Sequence, residues 1–210
     1  MRLLIALPSY ETMRTEFVES LIQLEDQLRQ DGVSYEIKIV SGTLVHCARD
    51  ALARHAVNNH FDKVLWIDTD MVFDRHIYDD LDMIDKDMVC GLFISRHSPY
   101  VSCLFSSLIP VERITEIPTE AFRVKGCGFG CVLMKTQVLE AVMNSNGGMC
   151  FLPDKRLGED VAFCQRAAGC GFEIWCEPSA RVGHVGSVVI WPEDGDRLRG
   201  EIQGLEGIKL

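Results

Sequence analysis

The segment KVLWIDTDMVFD, residues 63–74, decides how the chain folds. Val64, Leu65, Trp66 and Ile67 form a short continuous apolar run, the pattern of a strand buried on both faces. The run stops at Asp68. A second aspartate, Asp70, follows two residues later, and then Met71, Val72 and Phe73 restore the apolar character. Side chains alternate along extended chain, so Asp68 and Asp70 point the same way if the strand continues. Two neighbouring carboxylates repel each other and lose hydration when buried. A divalent cation relieves both costs. Hard oxygen ligands suit magnesium or manganese, which keep positions open for substrate phosphates. The other reading is a turn, in which Asp-Thr-Asp caps the next helix or closes an Asx-turn. Spacing alone leaves both open.

The surrounding pattern supplies the sheet. RLLIAL (2–7) reads as a second buried strand and YEIKIV (35–40) as an alternating one. Helical spacing runs through 15–30, with Phe17, Val18, Leu21, Leu24 and Leu28, and through 45–60, with Val45, Ala48, Leu52 and Ala56. A helix over 75–84 and a strand at MVCGLF (88–93) complete a β-α-β-α-β-α-β order. That order predicts an α/β fold with a mostly parallel sheet flanked by helices, and ligands beyond the carboxyl ends of its strands. Residues 96–121 are less regular. Beyond them FRVKG and GCVLMK read as strands, TQVLEAVM as a helix and NSNGGM (144–149) as a loop. EDVAFCQRAAG (159–169) is a helix with Gly169 as its left-handed cap, and FEIWC and ARVGHVG are two last strands. No repeat or linker divides the chain, so we expect a single domain over 1–191 and a C-terminal tail at 192–210.

Composition narrows the function. The formal charge is −10, from 31 acidic and 21 basic residues, and there is no basic run; this argues against a large nucleic-acid footprint. The acidic stretch DDLDMIDKD (79–87) reads as a solvated helix face. No stretch reaches the roughly 18 apolar residues of a membrane span, and Pro8 interrupts the short N-terminal apolar run. Nine cysteines, an odd number scattered through apolar segments, read as reduced, buried thiols. We therefore expect a cytoplasmic location.

Two further segments carry chemistry. Glu159 and Asp160 open the helix of 159–169. Acidic residues pair favourably with a helix dipole, yet a carboxylate at a ligand-facing helix start also serves as a general base. In RVKGCGFGCVLMK (123–135), Gly126, Gly128 and Gly130 alternate with Cys127 and Phe129. Glycines in a strand cost stability unless a backbone or ligand approaches closely. The spacing is not G-x-G-x-x-G and does not follow the first strand, so it matches a dinucleotide fingerprint poorly.

In this order and spacing, the first strand with PSYE, the ARDALARHA helix, LWIDTDMVF, the glycine strand, GED before a helix, and EPSARVGHVG together resemble the GT-A glycosyltransferases, in particular small members of the large inverting, family 2-like group. The resemblance spans residues 2–186. It implies a GT-A fold with a nucleotide-binding half (1–95) and an acceptor and catalytic half (96–191). It also implies a nucleotide-diphosphate-sugar donor, with UDP-sugar favoured over GDP-sugar, and Mn2+ or Mg2+ as cofactor. Pro8, Ser9 and Tyr10 would hold the base and ribose, and Arg49 would face the nucleotide; Asp50 stands where the family usually has Asn. Asp68 and Thr69 would approach the ribose or donor sugar. Asp70, with Asp68 and His184, would hold the metal. Gly126, Gly128 and Gly130 would line the donor sugar, and Asp160, or Glu159, would be the catalytic base. The acceptor is a glycan, lipid-linked sugar, protein or small molecule. The alternatives are a catalytically silent sugar-nucleotide or partner-binding module and a sugar-phosphate nucleotidyltransferase. The latter would want a glycine-rich basic loop where this chain has PSYETMR.

Overall fold

A computed structural model describes residues 1–154, 156–186 and 189–194. The elements run β1 (Arg2–Pro8), α1 (Thr15–Gln30), β2 (Ser34–Val40), α2 (Val45–Asn58), β3 (Lys63–Ile67), β4 (Met71–Phe73), α3 (Ile77–Asp82), β5 (Met88–Leu92), β6 (Leu104–Leu108), β7 (Val111–Arg113), β8 (Phe122–Val124), β9 (Gly126–Cys127), β10 (Cys131–Lys135), α4 (Thr136–Ser145), α5 (Glu159–Gly169), β11 (Ile174–Val185) and β12 (Val189–Ile190).

The principal sheet has the order β12-β11-β5-β10-β3-β1-β2, with β4 and β8 both pairing β11. β1 runs parallel to β2 and β3, and β5 parallel to β11. β10 lies antiparallel between β3 and β5. The sheet is thus mostly parallel, as the sequence predicts, with a reversed strand at its centre. Because β10 comes from the second half of the chain, both halves share one sheet.

Alternation on the buried strands sorts the core into two layers. Leu4 and Ala6 of β1 and Val64 and Trp66 of β3 join Leu52, Ala53 and Ala56 of α2, Val138 and Leu139 of α4 and Phe163 of α5. Leu3, Ile5 and Leu7, with Leu65 and Ile67, face Phe17, Leu24 and Leu28 of α1 and Tyr78 and Leu81 of α3. Each fully buried Leu or Phe contributes about 1.5–3 kcal/mol over leaving it in water, which explains why the strands are continuously apolar. Trp66 packs edge-on to Phe151 at 5.1 Å, and Phe151 stacks on Phe163 at 4.6 Å, tying α5 to the strand that carries the aspartates.

Several expectations need correction. FEIWC and ARVGHVG form one long strand, β11, with an irregularity between Glu177 and Arg181. The hairpin β6–β7, paired with β9 in a small three-stranded sheet, falls in the segment that showed no clear period. The left-handed residue after α5 is Gly171, at φ +93°, not Gly169; the helix runs on to a cap at Cys170 before turning. Six cysteines are buried, Cys103 and Cys170 are half-buried, and Cys47 is exposed; all nine are free thiols. Burial, with some help from the Asp68 charge, pushes the Cys131 thiol up to about 12, so it is inert. Most of the 192–210 tail lies outside the described residues. Among those described, no helix is long and apolar enough to cross a membrane.

Candidate active site

At the carboxyl end of β3 the chain does not stay extended. The Met71 N–H donates to the Asp68 carbonyl at 3.2 Å, closing a turn through Thr69 and Asp70. The segment is a turn, and the turn aims its two carboxylates at different partners.

Asp68 faces inward to Arg49. The guanidinium donates to both Asp68 oxygens, at 2.8 and 3.0 Å, and to Glu159 Oε1 at 2.6 Å. Arg49 is only 3% exposed, and its guanidinium lies 5.3 Å from the centre of the Phe129 ring. Burial by itself favours loss of its proton, but Asp68, Glu159 and Asp160 together hold it charged. It bridges the end of β3 to the start of α5. Asp50, beside it on α2, accepts the backbone N–H groups of Cys150 and Phe151 at 2.7 and 3.0 Å. The Arg-Asp pair is thus a clamp within the fold, and its side chains bind protein groups where the resemblance put a nucleotide.

Asp70 faces the other way. Its Oδ2 accepts from Arg96 and lies 3.5 Å from His184 Nε2. The His184 Nδ1 sits 3.1 Å from the Ile94 carbonyl. A carbonyl only accepts, so Nδ1 carries a proton, which leaves Nε2 as the ring nitrogen that faces Asp70, donating to it when protonated. Burial alone would push the Asp70 carboxyl up, but the hydrogen bond and charge of His184, with the charge of Arg96, hold it below the usual carboxylate range. β11 positions this pair: Gly183 and His184 register with Val72 and Met71 of β4, and Phe93 packs edge-on against the imidazole at 5.9 Å.

Glu159 and Asp160 occupy the first turn of α5. Glu159 is engaged by Arg49. Asp160 accepts only the Val161 backbone N–H through Oδ1, at 2.7 Å; no side chain among the described residues bonds to it. Burial pushes its carboxyl up, Arg49 pulls it down and Glu159 raises it again, for a net rise. Asp68 is likewise raised, by burial first and then by the charges of Asp70 and Asp160, against the pull of Arg49.

Of these groups Asp68 and Asp70 border a cleft of about 410 Å3, which Pro8, Ser9, Tyr10, Thr43, Thr69 and two cations, Arg14 and Arg96, also line, among others. Pro8, Ser9, Tyr10 and Thr69, the residues the resemblance gives to the nucleotide and donor, lie together on its wall. Tyr10 is largely exposed, and its carbonyl accepts from Gly42, a residue at φ +73°. The glycines are not on this wall. Gly126, Gly128 and Gly130 are buried, and side chains explain them: a Cβ on Gly130 would stand 2.4 Å from Met71 Cε and 2.9 Å from Phe93 Cζ, and one on Gly128 2.9 Å from Phe93 Cζ. The close approach required there is by protein atoms. Sequence reasoning missed Arg96. Its signal is positional, an arginine just past the carboxyl end of strand MVCGL, at the rim where ligands bind.

The donor set suits a hard divalent cation, and the adjacency of Asp70 and His184 is the observation that fits one. An imidazole nitrogen 3.5 Å from a carboxylate oxygen is held there by a shared proton or a shared cation, and both atoms are ligand types that a divalent ion accepts. The pair is short of a full shell, since Asp68 is committed to Arg49. Among the described residues no group of three or more His, Cys, Asp or Glu side chains is arranged to hold a metal. A magnesium-type site tolerates this, taking one or two protein ligands and completing its shell with water and substrate phosphates.

No protein-family model matches the sequence, and no curated protein matches it. Solved structures do. A197 from STIV superposes with a TM-score of 0.65 over 92% of this chain and 91% of that one, at 21% identity. A putative glucose-1-phosphate thymidylyltransferase from Bacillus anthracis, solved with sucrose, gives a TM-score of 0.50 over 100% of this chain and 97% of that one, at 12% identity. A mutant Drosophila galactosyltransferase solved with manganese, UDP-Gal and xylobiose gives 0.49 over 88% and 71%, at 12% identity. At these identities the likeness is one of fold. The chain has the mixed α/β, GT-A-like architecture, with a mostly parallel sheet flanked by helices.

Proposed function

We propose that the chain is a glycosyltransferase that moves a sugar from a nucleoside-diphosphate donor, UDP-linked before GDP-linked, to an acceptor hydroxyl. The observation that carries this reading is the Asp70–His184 pair, 3.5 Å apart, with Asp70 on a cleft that Pro8, Ser9 and Tyr10 also line. Asp70 and His184 would hold Mn2+ or Mg2+. Bound there, the cation neutralises the charge that grows on the departing diphosphate.

The remaining roles belong to the chain itself. Pro8, Ser9 and Tyr10 receive the base and ribose, with Thr69 at the same wall. Arg49 fixes Asp68 in one orientation, and Asp68 steers the ribose or donor sugar. Arg14 and Arg96 supply positive charge beside the diphosphate. Asp160 accepts the proton of the acceptor hydroxyl as its oxygen attacks the anomeric carbon, while the bond to the diphosphate breaks and its electron pair leaves with the phosphate oxygen. Attack opposite the leaving group inverts the anomeric centre. Asp160 suits the base role better than Glu159, because Arg49 binds Glu159 while Asp160 keeps a side-chain oxygen free and a raised pKa.

Release of free nucleoside diphosphate from UDP-sugars, with and without manganese, tests this reading. Manganese-dependent release that disappears in Asp70→Ala is expected. Formation of pyrophosphate from a sugar 1-phosphate and a nucleoside triphosphate would instead identify a nucleotidyltransferase.

A further inference from the structure

Arg49 and Arg96 both pair with an aspartate of the same turn, yet they are built differently. Arg49 is sealed in, and its two terminal nitrogens bind Asp68 and Glu159. Arg96 is 36% exposed and stands on the cleft wall. Its recorded bonds, to Asp70 Oδ2 and to the Val185 carbonyl at 3.4 Å, both come from Nη1. Nη2 and Nε make no bond among the described residues. The oxygen that Arg96 holds is the one His184 Nε2 faces.

One oxygen therefore has two claimants. A divalent cation held between His184 and Asp70 would meet the carboxylate oxygen that Arg96 already holds, and a guanidinium and a divalent cation on one carboxylate oxygen repel each other strongly. We propose that Arg96 is the resident counter-cation of Asp70: it holds Oδ2 while the cleft is free, gives that oxygen up when a divalent cation enters, and then serves the donor's diphosphate with a guanidinium already in the cleft. This rests on the glycosyltransferase reading only for the identity of the diphosphate ligand; the competition for Oδ2 stands on the geometry alone. Arginine suits the task because its planar fork offers two parallel donors to a phosphate.

The design makes cation and nucleotide binding interdependent. Cation alone must displace an attractive partner, so it binds weakly. Cation with nucleotide gives Arg96 a new anion, so the displacement costs less. Reciprocity then requires the nucleotide to tighten the cation by the same factor as the cation tightens the nucleotide.

The test titrates MnCl2 alone into the wild-type protein, Arg96→Gln and Arg96→Lys, following free Mn2+ by its paramagnetic resonance signal. Arg96→Gln should bind Mn2+ about tenfold more tightly than wild type, as expected for removing one like charge a few ångströms away, and Arg96→Lys should stay near wild type. Asp70→Asn placed on Arg96→Gln should abolish the gain, and circular dichroism checks that each variant is folded. Equal Mn2+ affinity in wild type and Arg96→Gln, or no binding by either, overturns the proposal. A second titration adds uridine diphosphate at saturating Mn2+. Weaker nucleotide binding by Arg96→Gln supports the diphosphate role, and unchanged binding removes it. A Mn2+ gain accompanied by no nucleotide binding in any of the proteins leaves the Arg96 competition standing and ends the sugar-nucleotide reading.

Discussion

Arg49 donates to both carboxylate oxygens of Asp68 from a position almost closed to water, while its other terminal nitrogen holds Glu159. Breaking a buried ion pair from one side leaves the partner charge uncompensated. Arg49→Met should therefore cost about 3 kcal/mol of stability, read as a lower midpoint in urea unfolding. Arg49→Lys should recover less than half, because one ammonium cannot span both carboxylates. A loss under about 0.5 kcal/mol, the range of a surface pair, would show that the bridge does not form in solution.

The Asp50 carboxylate accepts two backbone N–H groups from the segment that leads into α5. An asparagine keeps an acceptor oxygen in the same place, so Asp50→Asn should cost about 1 kcal/mol or less, the charge-assisted part of the bonds. Asp50→Ala orphans two buried donors and should cost about 2–4 kcal/mol. Chemical denaturation of the two variants side by side gives the comparison; equal losses would sink the acceptor argument.

Asp160 is held in a setting that disfavours its charge, so removing that charge should stabilise the fold. An acid whose folded pKa lies above its unfolded value binds its proton more tightly when folded. Its ionisation therefore penalises the native state above the folded pKa, and the penalty is relieved as pH falls through that value towards 3.8. Asp160→Asn should raise the melting temperature at pH 7, with the difference shrinking on acidification. The same change should lower transfer by about 100-fold or more, the usual contribution of a general base. A variant no more stable at pH 7 than wild type, or one that retains turnover, contradicts the assignment.

Asp70 behaves in the opposite sense. With its folded pKa held below 3.8, its ionised form contributes stability above the unfolded pKa, and that contribution is lost as pH falls through the lower, folded value. Acid titration of Asp70→Asn against wild type should show two stability curves that converge at low pH and separate above about 4.

Gly130→Ala should cost about 1–3 kcal/mol through overpacking, because its new methyl meets Met71 and Phe93. These two flank Asp70 and His184 respectively, so the variant should also weaken manganese-dependent nucleotide binding, measurable by calorimetry. A stability loss with unchanged binding would separate the glycine's packing role from the site.

The layers of the fold were readable wherever burial was two-sided. VLWI, RLLIAL and MVCGL have no polar face to hide, and each became a strand of the central sheet. The β6–β7 hairpin was not readable: Val111, Glu112 and Arg113 are all exposed, so no buried face imposes a period on them. The direction of β10 was also beyond the pattern, because a strand buried on both faces looks the same run either way. In the site, residue identity marked Asp68, Asp70, Asp160 and His184, and the family resemblance put Asp70 with His184, but neither gave Asp68 to Arg49 or Asp70 to Arg96. Extended geometry placed Asp68 and Asp70 on one side, and a single turn hydrogen bond, Met71 N–H to the Asp68 carbonyl, sent them apart. The three glycines signalled a close approach by backbone or ligand; side chains make it instead, Leu108 at Gly126, Phe93 at Gly128, and Met71 with Phe93 at Gly130, which spacing cannot reveal.

β11 is one uninterrupted strand that lies against β5 at its start and against β4 at its finish, and His184 sits next to its last residue. The two members of the Asp70–His184 pair are thus contributed by positions far apart in the order of synthesis. A chain emerging from the ribosome carries the aspartate early and gains the imidazole only when this closing strand has been laid down. Under the function proposed above, the cation would find both of its protein ligands only once this closing strand is in place.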